Sequence, residues 1–430
     1  MILVLISGLF VFFEPGYSET PSELTLSNGL RIILNEIPAS QVVCVSLFAQ
    51  AGPIQETEAN QGISRLLEKS LFRITRRHPD VRTEISSYGG EYISGLNQDF
   101  LNFSVTTGSA FADSIIALFE DVIVNSQFSD SLNANMQREM LPKMAEEQNN
   151  PRVRMLSVFL QNAFTTHPYR FLPYGSVRTL RSLKARDIEL YYQNSFIPQN
   201  LVLVITGNFD RKAVIGRLTE SLEAFKRTVS IPFKWNQEPP RKKPAVLVQN
   251  HDFPQPLAFV TVGWIAPSIR NRDTYAMDVV LEALSAGESS RLNREIRHST
   301  QSVYLIWAEY RTPREPGYFT VMAICEPSVA DTVRSRVLNE IGILRDDLLT
   351  PKELARTKQM LAAVDAFSRE GATDIAFNLG YWSLMAELDF AQKYQRNIQS
   401  VTAEDVQNTV RTYLRDDNCV SVILLPKRSR

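Results

Sequence analysis

Arg65, Glu68 and Lys69 lie within a short amphipathic stretch, Asn60 to Arg73, which reads as one helix with Ile63, Leu66, Leu67, Ser70 and Leu71 turned inward. Residues four apart share a helix face. Two ligands at that spacing can grip a metal ion, and an acid beside them can activate a bound water. Here the residues at that spacing beside Glu68 are Arg65 and Lys69. Both are protonated at neutral pH and offer no free lone pair. Glu68 then reads as an ion-pair partner of Arg65 or Lys69. A second pair, Arg297 and Tyr304, is split between a predicted helix end, Asn293–Arg297, and a predicted strand start at Val303. A guanidinium and a phenol are both donors, and such donors can hold a peptide carbonyl and its developing oxyanion. The plainer alternative is an arginine that satisfies its own helix carbonyls and a half-buried strand tyrosine.

The elements around these residues repeat. Leu24–Leu34 reads as strand, Asn-Gly turn, strand. Val42–Ala49, Phe100–Thr106 and Asn200–Gly207 read as strands, and Ala112–Val124 and Leu132–Asn149 as helices. Ser182-Leu-Lys-Ala-Arg-Asp187 recurs as Ser400-Val-Thr-Ala-Glu-Asp405, and Asn200-Leu-Val-Leu-Val-Ile205 as Asn418-Cys-Val-Ser-Val-Ile423. Ala112-Asp113 recurs as Ala330-Asp331, each time at an offset of 218 residues. A constant offset over three separated places indicates internal duplication. The expected fold is α+β: two copies of one domain, each a largely antiparallel sheet covered on one face by helices. The expected division is residues 21–227 and 245–430, joined by a Pro-rich, basic linker at 228–244.

Composition narrows the function. The chain has 430 residues, 44% hydrophobic, with a net charge of −1, which favours neither nucleic acid nor an anionic membrane as partner. The three cysteines, Cys44, Cys325 and Cys419, lie far apart and read as small buried hydrophobes. His78, His167, His251 and His298 have no mutual spacing that suggests a site. No Ser-His-Asp or Cys-His arrangement has supporting context. Met1–Phe13 is almost wholly apolar and too short to span a bilayer, which suits the core of a secretory signal with Gly16-Tyr17-Ser18 as cleavage site. Because the usual positive leader is missing, residues 1–20 are expected to be a signal peptide or an uncleaved anchor. The protein is expected to be periplasmic or otherwise exported.

The frame Gly62-Ile63 … Leu67-Glu68 … Leu71-Phe72 resembles the zinc helix of the pitrilysin/insulinase family, with its inverted motif His-x-x-Glu-His. Leu26-Ser-Asn-Gly-Leu-Arg31, Gly89-Gly90, His167-Pro168-Tyr169, Pro198–Gly207 and Ser289-Ser-Arg-Leu292 agree with it, in the same order. The resemblance covers Leu24 to Pro426 and is to the two-domain branch that includes the mitochondrial processing peptidase. It implies a clamshell of two chains. One chain bears zinc on two histidines and a later glutamate. The other supplies an arginine and a tyrosine, seven residues apart, from its second domain. Counting back from Pro151, Lys143 stands at the glutamate position. The resemblance therefore implies a chain that binds no metal itself, offers Arg297 and Tyr304 to peptide substrates, and works beside a zinc-bearing paralogue with an intact motif. The family's Asn-Ala after the glycine pair is Ile93-Ser94 here, so side-chain contacts to substrate differ while backbone pairing is retained. The other reading is a pseudo-peptidase, a peptide-holding or structural chamber without hydrolysis.

Overall fold

The computed structural model describes residues 21–173, 175–226 and 237–427. The proposed signal segment and most of the linker lie outside these residues. The first unit contains β1 (Ser22–Thr25), β2 (Arg31–Glu36), β3 (Val42–Ala49), α1 (Ile63–Ser70), α2 (Val81–Ser87), β4 (Glu91–Leu96), β5 (Leu101–Gly108), α3 (Ala112–Asn125), α4 (Asp130–Gln148), α5 (Pro151–Ala163), α6 (Val177–Ser182), α7 (Ala185–Ser195), β6 (Leu201–Gly207) and α8 (Arg211–Leu222). The second contains β7 (Ala245–His251), β8 (Ala258–Ala266), α9 (Asp273–Ser285), a π-helical turn (Asn293–Arg297), β9 (Val303–Arg311), β10 (Gly317–Cys325), α10 (Ala330–Asp346), α11 (Pro351–Phe367), α12 (Ala372–Met385), α13 (Phe390–Ser400), α14 (Ala403–Tyr413) and β11 (Val420–Pro426).

Two sheets result, with strand orders β1-β2-β6-β3-β5-β4 and β7-β11-β8-β10-β9. Only β2/β6 and β7/β11 run parallel; the other pairs are antiparallel. The duplication is visible in the helices too. α7 and α14 keep the sequence offset at both ends. The repeated aspartate does the same work twice: Asp187 accepts the amide of Lys184, and Asp405 that of Thr402, each at 2.8 Å.

Each sheet is covered on both faces, not on one. The second cover is exchanged. α5 leaves the first unit and packs on β8 and β11; α12 leaves the second and packs on β3 and β6. The contacts are close enough to require glycine. A Cβ on Gly263 would stand 2.5 Å from the Phe159 ring of α5, and one on Gly380 of α12 would stand 2.1 Å from the Phe48 ring of β3. The reason is in the central strands. β6 is buried at every residue, so neither parity of side chains can face water. Each sheet thus has a core under its own helices and a second core under the borrowed one.

Candidate functional site

The helix α1 is shorter than the sequence suggests. Gly62, at φ 89°, turns the chain into it, and Phe72, at φ 57°, turns the chain out. No side chain of the preceding residue caps it. Instead the buried carboxylate of Glu56 accepts the amides of Gly62 at 2.8 Å and Ser64 at 2.9 Å. Burial pushes the Glu56 carboxyl above its ordinary value, and these amide bonds work against that rise. Ile63, Leu66 and Leu67 face the core, and Phe72 packs edge-on to Phe119 with ring centres 4.8 Å apart. This side fixes how α1 rolls, and so where Arg65, Glu68 and Lys69 point.

Their partners are internal. The Arg65 guanidinium makes a two-pronged pair with Glu147 of α4, at 2.6 and 2.7 Å. Glu68 is buried, accepts from Lys69 Nζ at 2.9 Å, and takes a hydrogen bond from the Ser94 hydroxyl of β4. Glu68 therefore pairs with Lys69, while Arg65 reaches past it to another helix. Arg73, beyond the end of α1, reaches Glu139 of α4 at 3.6 Å. Lys143 is exposed and forms no ion pair among the described residues. Arg82 lies 3.2 Å from the centre of the Tyr92 ring on β4 and donates to the Phe72 carbonyl at 3.2 Å.

These side chains do not fit zinc. The positions that a metal would need present a guanidinium and two ammonium groups. Among the described residues no cluster of three or more His, Cys, Asp or Glu is placed to hold a metal. The histidines are dispersed: His78 pairs with Glu84 at 2.5 Å, His167 and His251 are buried elsewhere, and His298 contacts Glu288 at 3.1 Å.

The second corner is built differently. Arg297 ends a single π-helical turn, not an α-helix, closed by the His298 amide on the Asn293 carbonyl at 2.8 Å. Leu292 and Ile296 bury the inner side of this turn against the second core. Tyr304 is the extra residue of a β-bulge: Cys325 pairs with Val303 and Ile324 with Leu305, so Tyr304 has no partner across the ladder. A bulge on an edge strand re-aims a side chain outward, and Tyr304 is 51% exposed. Its hydroxyl donates to the Glu326 carboxylate, which raises the phenol pKa. Arg297 donates to Glu288 at 3.3 Å. The π-turn packs on β9, so both donors sit at one corner, yet each touches its own acid and no hydrogen bond joins them.

Residues 31–170 match the profile of the insulinase family, peptidase family M16, and residues 182–361 match that of the peptidase M16 inactive domain. The chain belongs to the insulinase (M16) family. The zinc protease PqqE of Helicobacter pylori is 22% identical over 426 residues, spanning 95% of this chain and 94% of that one. The β subunit of the mitochondrial-processing peptidase of Dictyostelium discoideum is 21% identical over 427 residues, spanning 94% and 89%. Among solved structures, a protease from Helicobacter pylori superimposes with a TM-score of 0.90 at 20% identity, over 95% of this chain and all of that one. A peptidase M16 inactive domain from Pseudomonas fluorescens gives 0.85 at 18% identity, over 96% and 100%. As an M16 chain, this protein has a peptidase-like frame whose motif positions carry cations instead of metal ligands. The sequence reading named Arg65, Glu68, Lys69 and Lys143 from the motif frame. Arg82 was not foreseen, nor were Glu147 and Ser94 as the partners of Arg65 and Glu68. Of these, only Glu147 left a signal, one turn beyond the Lys143 position.

Proposed function

We propose that this chain is the non-zinc subunit of a heterodimeric zinc metalloendopeptidase. Its partner is a paralogue with an intact His-x-x-Glu-His helix, and its substrates are peptides. The observation that carries the reading is the split between the two corners. Arg65 and Lys69 are tied up in internal ion pairs, while Tyr304 stands exposed on a bulged edge and Arg297 is held at the neighbouring π-turn by one long bond to an exposed acid. In the assembly the partner's zinc supplies the activated water. This chain's part is to bind and to position. β4 is an open sheet edge that can pair with an extended peptide. Arg297 keeps its charge when water is excluded and can hold a carbonyl oxygen. The Tyr304 hydroxyl can turn from Glu326 to the same oxygen and donate as negative charge builds there. The apolar segment at residues 1–13 is proposed to direct export.

The test is kinetic. The assembled pair should cleave a peptide that neither chain cleaves well alone. Tyr304→Phe should lower kcat about 10²-fold or more, as loss of an oxyanion donor does, without changing the melting temperature. Arg297→Lys should fail similarly, since an ammonium lacks the planar fork. Activity of the zinc chain that is unaffected by this one would overturn the proposal. A second reading, a peptide-holding pseudo-peptidase, is favoured by one fact: both donors already have an acid partner, Glu288 and Glu326. Tyr304→Phe within about twofold of wild type in an intact assembly would select it.

A further inference from the structure

The facing stripes of α1 and α4 do not balance. Arg65 and Lys69 lie one turn apart on α1, and Arg73, past the helix end, donates back to the Lys69 carbonyl at 3.3 Å. Glu139, Lys143 and Glu147 follow one another at single-turn spacing, in the opposite direction, on α4. The outer positions are matched: Arg65 with Glu147 at 2.6 Å and Arg73 with Glu139 at 3.6 Å. Lys69 lies between these two pairs on one side and Lys143 between them on the other. By that register Lys69 and Lys143 occupy the middle of the contact. Glu68 answers one of the two, at 2.9 Å from Lys69 Nζ. Lys143 forms no ion pair among the described residues, although Glu139 and Glu147 stand one turn to either side of it on α4. An anion entering between the two flanking ion pairs would be favoured by both lysines.

The place is next to an open edge. β4 has β5 as its one neighbour in the sheet. Ser94 of β4 touches Glu68, and Tyr92 packs on Phe72 with ring centres 5.3 Å apart, so this parity of β4 faces α1. A peptide strand added beside β4 would send alternate side chains toward the same face. Lys69 keeps 42% of its side chain exposed, despite its pairing.

We infer that the converted metal site is a carboxylate subsite: Lys69 and Lys143 receive an acidic side chain of an extended peptide laid along β4. The inference rests on the peptide-binding reading above and adds a substrate class to it, peptides with an aspartate or glutamate at one position. Arg65 and Arg73 are held by their own acids and act as walls. Lys143 supplies the charge outside any ion pair among the described residues, and its removal leaves no buried acid unpaired.

Isothermal titration calorimetry on the full chain, with peptides amidated at the C-terminus and differing at one residue, tests this. The glutamate peptide should bind about 10-fold tighter than its glutamine counterpart, and the advantage should shrink as salt rises. Lys143→Gln should erase the difference between the two peptides; Lys143→Arg should keep it. Equal binding of the two peptides at low salt overturns the inference while the peptide-binding reading stands. So does a glutamate preference that survives Lys143→Gln. A preference seen only with a free C-terminal carboxylate assigns the lysines to a chain end and overturns the side-chain form. Absence of binding by any peptide, to this chain or to its assembly, overturns the underlying reading itself.

Discussion

The α1 corner and the β9 corner each present an arginine, but their surroundings differ. The Arg65 side chain is 12% exposed and locked by two short bonds to Glu147. Arg297 is 35% exposed and makes one long bond to an acid that is itself 75% exposed. The first arrangement ties two helices together. The second ties nothing, because Glu288 belongs to the same short loop region. Charge that replaces a lost ligand can be absorbed into packing. In the function proposed here, charge that meets a substrate has to be left loosely held, and a π-turn followed by a bulge is a way of keeping it so.

This contrast can be broken by mutation. Arg65→Ala should cost the most, about 2–4 kcal/mol of unfolding free energy. Loss of one partner from a buried ion pair costs that order, reduced here because Glu147 is partly exposed. Glu147→Gln should be nearly as harmful, and a double-mutant cycle in denaturant should show coupling above about 1 kcal/mol. A change within about 0.5 kcal/mol would mean that the α1 corner is no more structural than the other.

Between the two units, Asp99 gives the next effect. Its carboxylate accepts from the Tyr169 hydroxyl at 2.5 Å and from the Arg314 amide at 3.1 Å, joining the β4–β5 hairpin to the β9–β10 hairpin. Burial raises its pKa to about 6, against the opposing effect of those hydrogen bonds. An unfolded aspartate titrates near 4. Over the interval between, the folded chain holds more protons than the unfolded one, so this group makes stability fall as pH rises from about 4 to about 6. Asp99→Asn should remove that slope. Wild type minus variant should drop by on the order of 1–3 kcal/mol between pH 4 and pH 8. A constant difference across that range would refute the assignment. The smallest effect should be at β9: Arg297→Ala should shift stability by less than about 0.5 kcal/mol, as exposed substitutions do. A loss comparable to that of Arg65→Ala would erase the contrast.

Much of the fold was readable from local pattern. Strand β3 spans the residues that alternation and branching suggest, and the repeated Asp187/Asp405 box fixed the offset of α7 and α14. Other features were hidden because they are set by distant contacts. The α1 helix loses its ends to two positive-φ residues, of which Phe72 is held by aromatic neighbours from other elements. Glu147 was visible as an acid but not as the partner of Arg65, because helix-to-helix register is not written in either helix alone. The bulge at Tyr304 depends on how β10 pairs, and nothing near Tyr304 announces it. The exchange of α5 and α12 had a sequence trace, the apolar run Leu201–Ile205 of β6 and the mostly apolar β11, broken by Ser421, which ask for cover on both faces.

That exchange bears on mechanics. Since α5 roofs the second sheet and α12 the first, a hinge between the units would have to lift both roofs at once and uncover the Phe159 and Phe48 contacts together. The exchanged helices thus couple the two units to each other. α4, which carries Glu139, Lys143 and Glu147, runs through Asn149 and Asn150 into α5, so a push at the α1 corner is delivered directly onto the other sheet. In the assembly proposed here, the motion that admits a peptide and closes over it falls to the seam between chains, with each chain moving as one body.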